Sequence, residues 1–167
     1  MNRKYPIALS AAALAVGGAV LAPGSSGQAV TAPESLTLQM RHREAKVSFV
    51  DVPPRMKGRR SSESPGDTVV SRATLRDASG ARVGSLHATF VVTGGRSPRT
   101  TEQVTGTIVL PDGQITVQGL FANSGDDTDI IPITGGSGRY EAAAGSMKAT
   151  SGRRQVTFEL QFAQAGA

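Results

Sequence analysis

Apolar and polar residues alternate along most of the chain from residue 35 onward. In Ser35–His42 the residues Leu36, Leu38, Met40 and His42 share one face, the pattern of a half-buried strand. Lys46–Val52 is β-branched and aromatic and continues that strand past a bend at Glu44 and Ala45. Asp67–Arg76 places Val69, Ser71, Ala73 and Leu75 on one face, with Val70, Arg72 and Thr74 on the other. Arg82–Thr93, Glu102–Leu110, Gln114–Phe121, Thr128–Thr134, Gly145–Thr150 and Arg153–Phe162 read as further strands. Turn chemistry separates them: Asp77–Gly80, Gly94-Gly95, Pro111-Asp112-Gly113 as a type I′ hairpin, Asn123–Asp127, Gly135–Gly138 and Ser151-Gly152. Arg139–Ala144 is predicted as one short helical turn.

Short connections between eight or nine strands favour sequential antiparallel neighbours. A sheet of that size closes to remove its edges, which predicts an all-β fold, an eight-stranded antiparallel β-barrel. Its interior is either filled by side chains or holds one small ligand. Val69-Val70, Val91-Val92 and Ile130-Ile131 make strands apolar on both faces, so the outer face is expected to be covered, for example by another subunit.

The first residues follow a different pattern. Arg3 and Lys4 precede an apolar run, Ile7–Leu21, and then small residues. That order predicts a signal peptide over 1–29, cleaved after Ala29, and a single barrel domain over 30–167. The run is short for a span and is interrupted by Gly17 and Gly18, so no stable membrane insertion is expected after cleavage. The expected location is secreted, from a bacterial source. Composition agrees with strands and turns: 167 residues contain 20 Gly, 9 Pro, 4% aromatics, no Trp and no Cys. Without Cys there are no disulfides, thiolate metal sites or thiol nucleophiles. Net charge is +5, but the excess lies early: Val30–Gly66 has seven basic and four acidic residues, and Asp67–Ala167 has nine of each. Arg55, Lys57, Arg59 and Arg60 sit in a Pro/Ser/Gly-rich loop, 53–66, with no interleaved aromatics. That favours a solvated flexible loop over a nucleic-acid site.

Several segments, in order, resemble the allene oxide cyclase barrel superfamily, which includes dirigent proteins. They are Phe49-Val-Asp-Val52, Gly66-Asp67, Gly113-Gln-Ile-Thr-Val-Gln-Gly119, Ile133-Thr-Gly-Gly-Ser-Gly-Arg-Tyr140 and Ala142-Ala-Ala-Gly145. The resemblance runs from about Leu36 to Phe162. It implies an eight-stranded barrel assembled as a homotrimer, with an apolar cavity for a small hydrophobic molecule and no cofactor. The implied activity fixes one conformer of a lipophilic substrate and so guides cyclisation or stereoselective coupling, a cofactor-free isomerase or cyclase if an enzyme. Three departures set this chain apart. The acidic pair of dirigent-like members reads Arg72-Ala73, the arginine after the glycine loop is replaced in Ala143-Ala144-Gly145, and the cyclase pocket Cys is absent. They favour the alternative, a non-catalytic structural or interaction module of the envelope or extracellular space.

Five residues are candidates for ligand contact: Asp51, Arg72, Glu102, Gln118 and Tyr140. Asp51 and Glu102 are carboxyls that can face the lumen and exchange a proton. Arg72 is an anion anchor if inward and a surface charge if outward. Gln118 lies in an apolar strand and either orients a polar group or faces solvent. Tyr140, the one tyrosine after the leader, offers a hydroxyl at the barrel end or a ring packed behind the glycine loop. No metal site is expected: His42 and His87 stand apart without partner motifs, and Asp126, Asp127 and Asp129 do not match a calcium loop. Catalytic residues are not assigned.

Overall fold

The computed structural model describes residues 33–53, 63–96, 99–122 and 127–163. The region expected to be a signal peptide, most of the basic loop and residues 123–126 of the Asn123–Asp127 loop lie outside the described residues. Nine strands follow in chain order: β1 Ser35–Arg41, β2 Lys46–Val50, β3 Thr68–Arg76, β4 Arg82–Arg96, β5 Arg99–Leu110, β6 Gly113–Ala122, β7 Thr128–Gly138, β8 Gly145–Ser151 and β9 Gln155–Phe162. All pairings are antiparallel, in the order β1-β9-β8-β7-β6-β5-β4-β3-β2, and β1 also pairs with β3. That last pairing, Gln39 with Arg76 and Met40 with Leu75, closes the barrel.

The predicted bend between the first two strands is a 3₁₀ turn, His42–Glu44. Both β1 and β2 lie beside β3, so they occupy one position and the barrel has eight positions with one extra strand. The turn is held on both sides. The His42 N–H donates to the Arg154 carbonyl, and its Nε2 lies 2.9 Å from the Gly152 carbonyl. Arg76 donates to both Glu44 carboxylate oxygens at 3.1 and 2.9 Å and also to the Gly80 carbonyl. The planar guanidinium fork suits this bidentate contact, which ties the turn to the end of β3.

Inward positions repeat every second residue, as the pleat requires. Leu38, Leu75, Ile108, Ile115 and Leu160 are almost wholly excluded from solvent. They form the centre of one cluster with Leu86, Val104, Val117, Ile131, Ile133, Met147 and Phe158. Each large aliphatic side chain buried there contributes about 1.5–3 kcal/mol.

Three local expectations change. The hairpin loop is Pro111-Asp112, because Leu110 pairs with Gly113. Proline holds φ negative and Asp112 is not in the left-handed region, so the turn is not type I′. Gly135–Gly138 is the end of β7 rather than a loop, paired with Gly113–Thr116 after a register shift. Arg139–Ala144 forms successive tight turns instead of a helical turn, with N–H donation from Tyr140 to Ser137, Glu141 to Gly138 and Ala143 to Tyr140.

Candidate functional site

The two ends of the barrel differ. One is closed. Tyr140 stacks on Phe162 with ring centroids 6.0 Å apart, and both are buried with Ala143 beneath the end of β7. A Cβ at Gly136 would collide with the Tyr140 and Gln114 carbonyls, so only glycine lets the Tyr140 backbone pass this close. Gly138 has φ +62, which turns the chain into the Tyr140 segment. Burial raises the Tyr140 hydroxyl pKa above its ordinary 10, against the opposing charge of Arg139. Tyr140 is therefore a packed plug.

At the opposite end β2, β3, β4 and β5 project past the short turn between β8 and β9. Cross-strand register sets a row on their concave face: Phe49 opposite Val69, Val69 opposite Phe90, Phe90 opposite Val104. Glu102 stands one step further out on the same face, between Val92 and Phe121. Phe90 and Phe121 meet edge to face at 6.1 Å. Phe49 is 53% exposed and Val47, on the same face, is 62% exposed. An apolar wall thus leads from solvent to a carboxyl group.

That carboxyl is held by the chain around it. The Thr100 hydroxyl lies 3.2 Å from a Glu102 oxygen and 3.3 Å from a Glu63 oxygen, and all three residues are buried. A hydroxyl has one hydrogen to donate, so it serves one carboxylate at a time and can accept from a carboxyl that carries a proton. Glu63 is brought over the mouth by the turn that follows it. There Asp67, 1% exposed, accepts from the Val52 and Ser64 N–H groups at 2.8 Å each. Its backbone is tied to β4, where Gly66 N–H donates to the Val92 carbonyl and Val92 N–H to the Asp67 carbonyl. The arrangement can hold a polar group of an otherwise apolar molecule and exchange a proton with it.

Of the five sequence candidates, Glu102 and Tyr140 are inside, at opposite ends. Arg72 and Gln118 lie on the outer face, opposite His87 and Thr105 respectively, and do not line the lumen. An unpaired cation inside the barrel would carry a desolvation cost that the outer face avoids. Asp51 falls just past the end of β2 and is exposed, which corrects its reading as a lumen acid. Sequence reasoning placed Phe49 and Asp67 in family-like segments but gave no site role to either, nor to Glu63, Phe90 or Phe121. The alternation of β4 and β5 carries the signal for Phe90, but Glu63 lies in a loop without periodicity. Among the described residues no group of three His, Asp or Glu is placed to hold a metal.

The model of the allene oxide cyclase barrel-like domain matches residues 55–162. The chain belongs to this family. No curated protein matches it. Among solved structures, a pyocyanin demethylase is similar at 20% identity and TM-score 0.63, over 77% of this chain and 99% of that one. The Diels Alderase AbmU from Streptomyces koyangensis is similar at 18% and 0.60, over 78% of this chain and 64% of that one. The pterocarpan synthase dirigent protein PsPTS1 is similar at 14% and 0.60, over 80% and 96%. At these identities the family barrel shares their fold.

Proposed function

We propose that this barrel is a secreted protein that binds one small lipophilic molecule at the Glu102 end and guides its cyclisation or stereoselective coupling. The observation that carries the reading is the concave row Phe49–Val69–Phe90 leading to a buried Glu102 carboxyl on the Thr100 hydroxyl. Aromatic and aliphatic walls restrict the conformers a flexible apolar substrate can adopt. Prepaid orientation of this kind accelerates a ring closure without strong chemical activation. Glu102 supplies the one directional contact, and it can pass a proton to a carbonyl or phenoxide oxygen as bonding changes. The names of the similar structures, a demethylase, a Diels Alderase and a dirigent protein, support small-molecule chemistry on this fold. The same reading includes a homotrimer, formed through the outer face, where Leu120 and Ile130 are 60% and 68% exposed.

A second reading, a non-catalytic interaction module, draws on the filled centre of the barrel, where Leu75, Ile108, Ile115 and Leu160 have no exposure. Native mass spectrometry of the protein purified from its own culture medium separates the two. The ligand reading expects an adduct of small-molecule mass that is lost or weakened by about tenfold or more in Glu102→Gln, the loss of a buried charged hydrogen-bond partner. An apo protein whose mass spectrum Glu102→Gln does not alter favours the interaction module.

A further inference from the structure

The outer wall carries basic side chains that the fold leaves uncompensated. Lys46 of β2 stands opposite Arg72 of β3, and Arg72 stands opposite His87 of β4. All three are exposed. Like charges directly opposite on one sheet face are destabilising, so this row costs the fold rather than supports it. Arg82, also exposed, joins them from the start of β4. Its Nη2 lies 3.5 Å from the hydroxyl of Thr74, the next outward residue of β3 after Arg72. Glu102, which points inward, is the only Asp or Glu in β2–β6. The carboxylates that border these strands are taken up elsewhere. Glu44 is held by Arg76 and Arg41, and Asp77 accepts from the Ser79 hydroxyl and the Ala81 N–H. Asp67 is buried on the Val52 and Ser64 N–H groups, and Asp51 stands past the far end of β2 from Lys46. Among the described residues neither Lys46 nor Arg72 has an ion-pair partner.

Hydroxyls surround the row. Ser48 and Thr89 stand in the outward row on one side, Thr74 and Ser85 in the row on the other, and Thr107 of β5 continues it past His87. The Ser85 hydroxyl lies 3.2 Å from His87 Nε2. We propose that this outer face of β2–β4 binds a linear acidic polysaccharide, with the cations on its carboxylate or sulfate groups and the neighbouring hydroxyls on its sugar hydroxyls. Strands lie ~4.8 Å apart, so Lys46, Arg72 and His87 spread over about 10 Å and meet successive groups of an extended chain rather than one small ion. Arg72 offers a planar fork for a bidentate contact, and Lys46 a compact charge on a flexible stem. Single-stranded nucleic acid is held by aromatic stacking as well as charge, and the Phe side chains of these strands, Phe49 and Phe90, are on the concave face. The surface is separate from Glu102 inside the barrel and from Leu120 and Ile130 on β6 and β7, so it does not rest on the proposed cavity or trimer.

Calorimetric titration of the mature protein at low ionic strength tests this, with polygalacturonate as the carboxylate probe and dextran sulfate as the sulfate probe. Two double variants each remove two charges: Lys46→Gln with Arg72→Gln in the row, and Arg153→Gln with Arg154→Gln in the exposed turn between β8 and β9. The row variant is expected to weaken binding of at least one probe by about tenfold or more, and the turn variant by less than about twofold, since only the first removes charged hydrogen-bond donors from the site. Whichever probe responds identifies the anion. Failure of wild type to bind either probe overturns the proposal. Equal losses in the two variants also overturn it, because they report net charge alone. Single-stranded poly(dT) that binds as tightly as the better probe overturns it in favour of a general polyanion surface. The row variant is expected to melt at or above the wild-type temperature, because a repulsion is removed. A lower melting temperature shows that the row supports the fold and overturns its reading as a binding surface.

Discussion

Asp67 shows how one side chain fixes the placement of another. Its buried carboxylate accepts two N–H groups, one from Val52 after β2 and one from Ser64, and so sets the turn that carries Glu63 over the mouth. Asp67→Ala leaves both donors without that partner. The expected loss is about 2–4 kcal/mol, read from chemical denaturation, since each buried unsatisfied donor costs ~1–3 kcal/mol. A loss below about 0.5 kcal/mol, the range of an ordinary surface substitution, contradicts this role. In the fold Glu102 shares a period-two face with Val104, Ile108 and Leu110; from the sequence alone it is a candidate with its side of the strand left open. Its partners are not candidates. Glu63 reaches the site through a turn, and Asp67 reads as the first residue of a strand. No periodicity in the chain links either one to Glu102.

The strands themselves were largely readable, since each has a polar and an apolar side. The errors fall where glycine removes that signal. Gly135, Gly136 and Gly138 read as a loop because they have no side chains to alternate, yet they pair with β6 as the end of β7. Their role is close approach. Gly136→Ala is expected to displace the Tyr140 segment and destabilise the barrel by at least about 2 kcal/mol in thermal or urea unfolding, the scale of forced core and backbone shifts. A variant with wild-type stability would show that the plug has slack.

The seam between β1 and β3 depends on fewer backbone pairs than its neighbours, and the Arg76–Glu44 contact reinforces it. Hydrogen bonding and charge from Arg76 hold the Glu44 carboxyl below its ordinary 4.5. A carboxyl lowered in the folded state adds stability above its unfolded value and loses it as pH falls through the folded value. Wild type should therefore be more stable than Glu44→Gln at neutral pH, and the difference should vanish as the pH drops well below 4.5. Melting temperatures for the two proteins across that range check it; a gap that persists in acid contradicts the ion-pair account.

At the scale of the molecule, the barrel is a cup with a plugged base and a raised wall. The closure was expected from strand number and edge avoidance, and the family-like segments pointed the same way. The raised wall was not, because β2 reads as a continuation of β1 and nothing in its composition shows that it stands beyond the rim. That projection places Val47 and Phe49 at the entrance of the proposed site. The two ends of the cup give the account its sharpest contrast. Titrating the isotope-labelled mature protein with a neutral aromatic lipophile such as coumarin, and following backbone amide shifts by NMR, tests it most directly. The account predicts saturable shifts at Phe49, Val69, Phe90, Glu102 and Phe121, with Tyr140 and Phe162 unmoved. Shifts centred on Tyr140 and Phe162, or none that saturate, would contradict it.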